Sequence, residues 1–212
     1  MLRTLAALCL TLAALPARAE TFDVLLGDRL IGTMESRADL LRTVLDNTPF
    51  GIADGETVAT LGRVQADDGA VVSQYYFRND ERTVSVLFAD DGSVRQTEIL
   101  PQSEATEMSD PARYPADVRD PVGVVHGMVT AGGCPAPFRQ YDGRRVAEGR
   151  IVAERRDGDT VACDLDYRVV AGPGHASPLG LRQIAATLTY QGGALSSIAI
   201  RAAGFTLTIR RQ

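Results

Sequence analysis

The side chains of this 212-residue sequence whose types and spacing could do chemistry are few: three cysteines, two histidines and the doubled arginine of "YDGRR". Cys9 lies in an apolar leader, which leaves Cys134 and Cys163. Such a pair forms a structural disulfide or supplies a redox or catalytic thiolate. No C-x-x-C motif is present and no His adjoins either Cys, so in an exported chain the even count reads as a disulfide. Closing a loop of about 29 residues in this way contributes on the order of 3–4 kcal/mol in the chain-entropy picture. His126 falls in a Val-rich segment and His175 in "GPGHASPLG". Neither has a partner at ligand spacing, so no zinc or other metal site is expected. No G-x-S-x-G elbow occurs, and the glycines around His175 lack the strand-to-helix spacing of a phosphate loop. Asp67-Asp68 and Asp90-Asp91 fall in turn-like segments, where Asp serves its own backbone. The expectation is a protein with no catalytic residues and no cofactor, not an enzyme.

The densest cluster of unusual residues is "CPAPFRQYDGRR", Cys134 to Arg145. If Arg144 and Arg145 lie on a strand, their side chains alternate, one outward and one inward. An inward Arg needs a carboxylate, with Asp142 or Asp164 as candidates, or an anionic ligand group. The plainer alternative is a solvated hairpin end.

The first residues bear on compartment. Arg3, the apolar run Leu5–Leu15, Pro16 and "ARA" (residues 17–19) read as a cleavable secretory signal, residues 1–19. The run is too short for a membrane span, which takes roughly 20 apolar residues. Cleavage after Ala19 leaves 193 of the 212 residues, 20–212, enough for one domain with a substantial core. Loss of Arg3 and Arg18 takes the formal charge from -5 to -7, so a nucleic-acid partner is not expected. Every basic side chain is Arg, with no Lys; codon bias explains this without a function, whereas anion recognition by guanidinium forks is the functional reading. The expected location is the periplasm.

Those residues must be positioned by short strands. "TFDVLLGDRLIGTMESR" reads as a hairpin around Gly27-Asp28, and "LLRTVLD" (residues 40–46) fits helix and strand alike. Two more hairpins turn at Asp67-Asp68-Gly69 and Asp91-Gly92, the latter with clear alternation through Val84, Val86 and Phe88. Residues 101–119 are polar and Pro-containing, a long surface connection. "DPVGVVHGMVTAGG" (120–133) carries a helix signature: Asp120 as cap, Pro121 in the first turn, Gly132-Gly133 at the end. Val122, Val125, Met128 and Val129 form its apolar stripe, and a helix so rich in Val and Gly needs packing to hold it. Strands return around Asp157-Gly158-Asp159 and in three further segments to residue 212. The expectation is mainly β: a curled antiparallel sheet, an open half-barrel of about ten strands, wrapped around one short central helix.

The order of these segments resembles a family of bacterial exported proteins known as domain of unknown function 3108. The residues that carry the resemblance are "LIG" (30–32), "RTVSVLFADDGSVRQTEILP", "DPVGVVHGMV", "C...F.QYDGRR" and "ACDLDYRVVAGPGH" (162–175). The resemblance implies an open sheet curled round a helix, similar to the half-barrels of bacterial lipoprotein carriers, which hold acyl chains in the concave face. It implies no catalytic residues. The sequence departs from the family at Val146 and Ala147, where a third Arg or a bulky apolar residue is expected, and in Gly123 and Gly127 of the helix.

Two function classes follow. In the first, a non-enzymatic module binds an apolar or lipid-like envelope ligand in the concave face, beside Val125, Met128, Val129, Arg144 and Arg145. In the second, a structural protein with a filled core meets another envelope protein. A hydrolase of envelope polymers needs clustered carboxylates or an activated nucleophile, and the sequence groups neither.

Overall fold

The computed structural model describes residues 19–48, 54–175, 180–202 and 204–212. The expected signal segment falls almost wholly outside them. Among the described residues, thirteen antiparallel strands form one sheet. The first seven are β1 (Glu20–Leu26), β2 (Arg29–Arg37), β3 (Leu40–Leu45), β4 (Gly55–Gln65), β5 (Val71–Arg78), β6 (Thr83–Phe88) and β7 (Val94–Leu100). The helix α1 (Pro121–Thr130) follows. The remaining six are β8 (Phe138–Tyr141), β9 (Val146–Asp157), β10 (Thr160–Ala171), β11 (Gln183–Gln191), β12 (Ala194–Ala202) and β13 (Phe205–Arg211). The strand order is β7-β6-β5-β4-β3-β2-β1-β13-β12-β11-β10-β9-β8. It is two meanders joined where the chain begins and ends, with Phe22 opposite Arg211 and Leu26 opposite Leu207.

The expected turns are where the Asp-Gly signals put them, between β1 and β2, β4 and β5, β6 and β7, and β9 and β10. The strand count was underestimated. Residues 40–45, ambiguous in sequence, pair with β2 and β4 as a strand. β8 is a short strand inside the Cys-Pro segment that had no visible periodicity. Three single 3-10 turns (Gln102–Glu104, Glu107–Ser109, Pro111–Arg113) give the long connection its local order.

The helix forms as its end signals dictate. The Asp120 carboxylate accepts from the Gly123 amide at 2.7 Å, Pro121 occupies the first turn, and the chain leaves through Gly132 at φ +71°. It lies across the concave face, touching β2, β3, β4, β8 and β12. Val122 packs among Tyr75, Val84, Val86, Phe88, Tyr141 and Val146. Val129 packs with Phe22, Met34, Cys163, Leu188 and Tyr190. One helix therefore fills two halves of the core. Val124 is also buried, which the expected stripe missed, while Val125 and Met128 are only partly so. Cys134 and Cys163 are joined by a disulfide with a Cα–Cα distance of 5.5 Å, tying the segment after α1 to β10. No helix among the described residues is long and apolar enough to cross a membrane.

Candidate functional site

The ladder does not close into a barrel: β7 and β8 are its edges. What spans them is the segment that drew attention in the sequence. The hydroxyl of fully buried Tyr141, on β8, lies 2.7 Å from Met108 O, 3.0 Å from Gly143 O and 3.1 Å from Thr97 Oγ1 on β7. Residue 119 pairs with β8 in parallel, its amide donating to Arg139 O at 2.9 Å and its carbonyl accepting from Tyr141 N at 3.0 Å. The free side of β7 is met by Tyr114, whose hydroxyl accepts from the Thr97 amide at 2.7 Å. Unpaired edges attract foreign strands, and side chains and turns cover these two.

Between β8 and β9 the chain makes a tight turn at Asp142-Gly143-Arg144-Arg145. Asp142 Oδ1 accepts from the amides of Arg144 (3.0 Å) and Arg145 (2.9 Å), the local bond that makes Asp a turn residue. Gly143 sits at φ +88°, and a Cβ there would stand 2.5 Å from Val84 Cγ1, so the turn is pressed against β6. Thr106 and Ser109 donate to the carbonyls of Arg144 (2.8 Å) and Gly143 (2.9 Å).

This turn changes the reading of the arginine pair. β9 begins at Val146, so strand alternation does not apply to Arg144 and Arg145, and neither is a solvated hairpin end. Arg144, 17% exposed at its side chain, donates from Nε to Glu104 O (2.8 Å) and pairs with the Glu104 carboxylate at 3.1 Å. Burial and the nearby Arg82 guanidinium lower its pKa. Arg145 is 9% exposed. Its Nη1 donates to Gly174 O at 2.9 Å, and its Nε lies 3.0 Å from Asp142 Oδ2 without an aligned hydrogen bond. Of the two candidate carboxylates, Asp142 is the partner. Asp164 instead pairs with Arg155 and accepts from Thr187, which holds it at about 2.

Arg144 and Arg145 line a cleft of about 260 Å³ in the concave face, between β3–β6, the start of α1 and the β8–β9 turn. Leu41, Ala59, Phe77 and Val84 give it apolar surface, and Arg82, Gln140, Asp142 and His175 give it polar groups. Tyr75, 2% exposed, also lines it, and its hydroxyl makes no hydrogen bond to the described residues. Burial, then the charges of Asp142 and Asp120, push its pKa well above the usual phenol value, so it stays a neutral donor. Gln140 Nε2 donates to the Tyr167 oxygen at 3.0 Å. His175 Nε2 lies 2.8 Å from the same oxygen, a hydrogen bond whose direction is set by the imidazole tautomer. Burial first, and then the Arg145 guanidinium, push His175 down to about 4, so it is uncharged at neutral pH. Such an array can hold an amphiphile by shape, hydrogen bonds and one guanidinium.

Val125, Met128 and Val129 lie elsewhere, packed into the half of the core around Phe22 and Leu188. The five expected ligand-contact residues are therefore not in one place: the arginines line the cleft and the three helix residues do not. Tyr75, Gln140, Tyr167 and His175 were missed. Tyr75 alone carried a signal, since it alternates with Phe77 toward the inner face of β5. A wider groove of about 650 Å³ runs over β8–β10, lined by Arg139, Arg150, Arg168, Glu148 and Asp166. Its arginines are largely exposed, and such pairs contribute little. No group of His, Cys, Asp and Glu among the described residues could hold a metal ion.

No protein-family model matches the chain, and no curated protein matches it. Among solved structures the chain is similar to the crystal structure of a β-barrel-like protein of domain of unknown function DUF1849 from Brucella abortus. That likeness covers 92% of this chain and 95% of the other, at 13% identity and a TM-score of 0.35. That likeness is to a β-barrel-like protein of unknown function, and it does not single out family 3108.

Proposed function

We propose that this protein is a non-enzymatic binding module of the bacterial periplasm, which holds a small lipid-like or amphipathic envelope ligand in the concave face. The observation that carries the reading is Tyr75: a residue only 2% exposed, whose hydroxyl has no partner among the described residues and opens on a cleft with an apolar wall. A hydroxyl that the protein leaves unpaired at a narrow opening is a donor available to a ligand atom. The cleft is smaller than pockets for drug-sized molecules, which run about 300–1,000 Å³, so the occupant is short or partly exposed. The disulfide suits an oxidising compartment, and the segment order that resembles family 3108 agrees with an exported half-barrel. The test is a thermal-unfolding screen of ligand-stripped protein against small amphiphiles. A concentration-dependent rise in Tm for one chemical class supports the proposal; no shift across the screen overturns it.

A second reading, an envelope interaction protein with a filled interior, is favoured by the burial of Val122, Val124 and Val129 to 3% exposure or less, because α1 occupies much of the concave face. It expects no shift in that screen and co-purification with an envelope protein after crosslinking.

A further inference from the structure

The charges and unused hydrogen-bond donors of the cleft say which class of head group it takes. Three of its lining side chains are cationic, Arg82, Arg144 and Arg145, and one is anionic, Asp142. Glu104, outside the lining, pairs with both Arg82 and Arg144, and Asp120, whose charge also reaches Tyr75, is taken up at the N-terminus of α1 through the Gly123 amide, which leaves one cation in excess. Glu81 also meets Arg82, but it is 71% exposed and its charge is spent largely on water. The cation with spare capacity is Arg145. Its Nη1 is committed to Gly174 O and its Nε faces Asp142, but Nη2 makes no hydrogen bond to the described residues and is not sealed from solvent, on a side chain that lines the cleft. Tyr75 supplies the second unused donor on the same cleft. The two groups come from β5 and from the β8–β9 turn, and each is more than nine-tenths buried. Donors held this far from water bind an anionic oxygen more strongly than surface ones do, because water competes less.

We infer that the cleft is a monocarboxylate site: Arg145 Nη2 and the Tyr75 hydroxyl grip the carboxylate of a short aliphatic acid, whose chain lies on Leu41, Ala59, Phe77 and Val84. One excess cation matches a monoanion and leaves a dianionic phosphate undercompensated. The inference rests on the binding-module reading and names the ligand class for the same cleft.

Calorimetric titration with octanoate, octanol and octylammonium separates the two claims. The expected result is octanoate at least 10-fold tighter than octanol, with octylammonium weakest. Tyr75→Phe removes an oxygen that bonds none of the described residues, so the variant is expected to keep its Tm while octanoate affinity falls about 10-fold. Arg145→Gln should abolish the preference for octanoate over octanol, and far-UV circular dichroism with Tm shows whether that variant remains folded. If octanol or octylammonium binds as well as octanoate, the carboxylate assignment is overturned and the binding module stands. If none of the three binds, both fall. If octanoate binds but Tyr75→Phe binds it equally well, the site is not this cleft and the inference fails.

Discussion

Replacing Tyr141 with Phe isolates the contact that spans the two sheet edges. The ring stays, so no cavity opens in the cluster around Val86 and Val122; only the hydroxyl is lost. That oxygen is buried and lies within bonding distance of Met108 O, Gly143 O and Thr97 Oγ1. It has one proton to give, and the shortest contact is to Met108 O at 2.7 Å. Gly143 O keeps a donor in Ser109 Oγ, so the carbonyl left unpaired is that of Met108. An unsatisfied buried acceptor costs about 1–3 kcal/mol. A loss of about 2 kcal/mol moves a urea midpoint by about 1 M when m is near 2 kcal/mol/M. The assay is equilibrium unfolding in urea of oxidised protein, with m compared between variants. Thr97→Val, alone and combined with Tyr141→Phe, completes a double-mutant cycle, with a coupling of about 1 kcal/mol expected between the two hydroxyls. A loss below about 0.5 kcal/mol at unchanged m, with no coupling, would refute the argument that this hydroxyl holds the edges together.

Three further outcomes follow from the same geometry. Replacing Cys134 and Cys163 together with Ser frees a loop whose ends are 29 residues apart, which lowers stability by about 3.6 kcal/mol in the loop-entropy picture; a free-thiol assay on unfolded, unreduced protein purified from an oxidising compartment should find no thiol at either position. His175 is held neutral at about 4 against 6.5 when unfolded, so the unfolded chain takes the proton first and stability falls as pH drops through that window, by about 2 kcal/mol between pH 7.5 and 5; His175→Gln should flatten Tm over that range. Ala at Gly143 adds a Cβ 2.5 Å from Val84 Cγ1 at φ +88°, costing about 2 kcal/mol, whereas Ala at Gly158, with nothing near its Cβ position, meets only the backbone strain of its φ; unfolding midpoints of the two variants should differ accordingly.

The parts legible in sequence were those set by neighbouring residues. Gly27-Asp28, Asp91-Gly92 and Asp157-Gly158-Asp159 announce turns because Gly accepts positive φ and Asp bonds its own backbone, and the alternation through Val84, Val86 and Phe88 fixes which face is buried. Asp120 and Pro121 marked the helix start for equally local reasons. β8 was not legible because Phe138–Tyr141 is too short to show a period and follows two prolines. The arginine pair was misplaced because alternation was applied to residues that belong to a turn. The cleft was invisible because Tyr75, Gln140 and His175 stand on β5, β8 and the segment after β10, and no spacing records that they converge. The disulfide was found because only two cysteines remained to pair.

Native mass spectrometry of wild-type and Tyr75→Phe protein, each purified from the envelope of its own host without detergent, tests the central claim most directly. The binding account predicts a wild-type population heavier than the chain by one small organic acid, lost on collisional activation and markedly reduced in the variant. A wild-type spectrum containing only the unliganded mass, or an adduct retained equally by Tyr75→Phe, would contradict it.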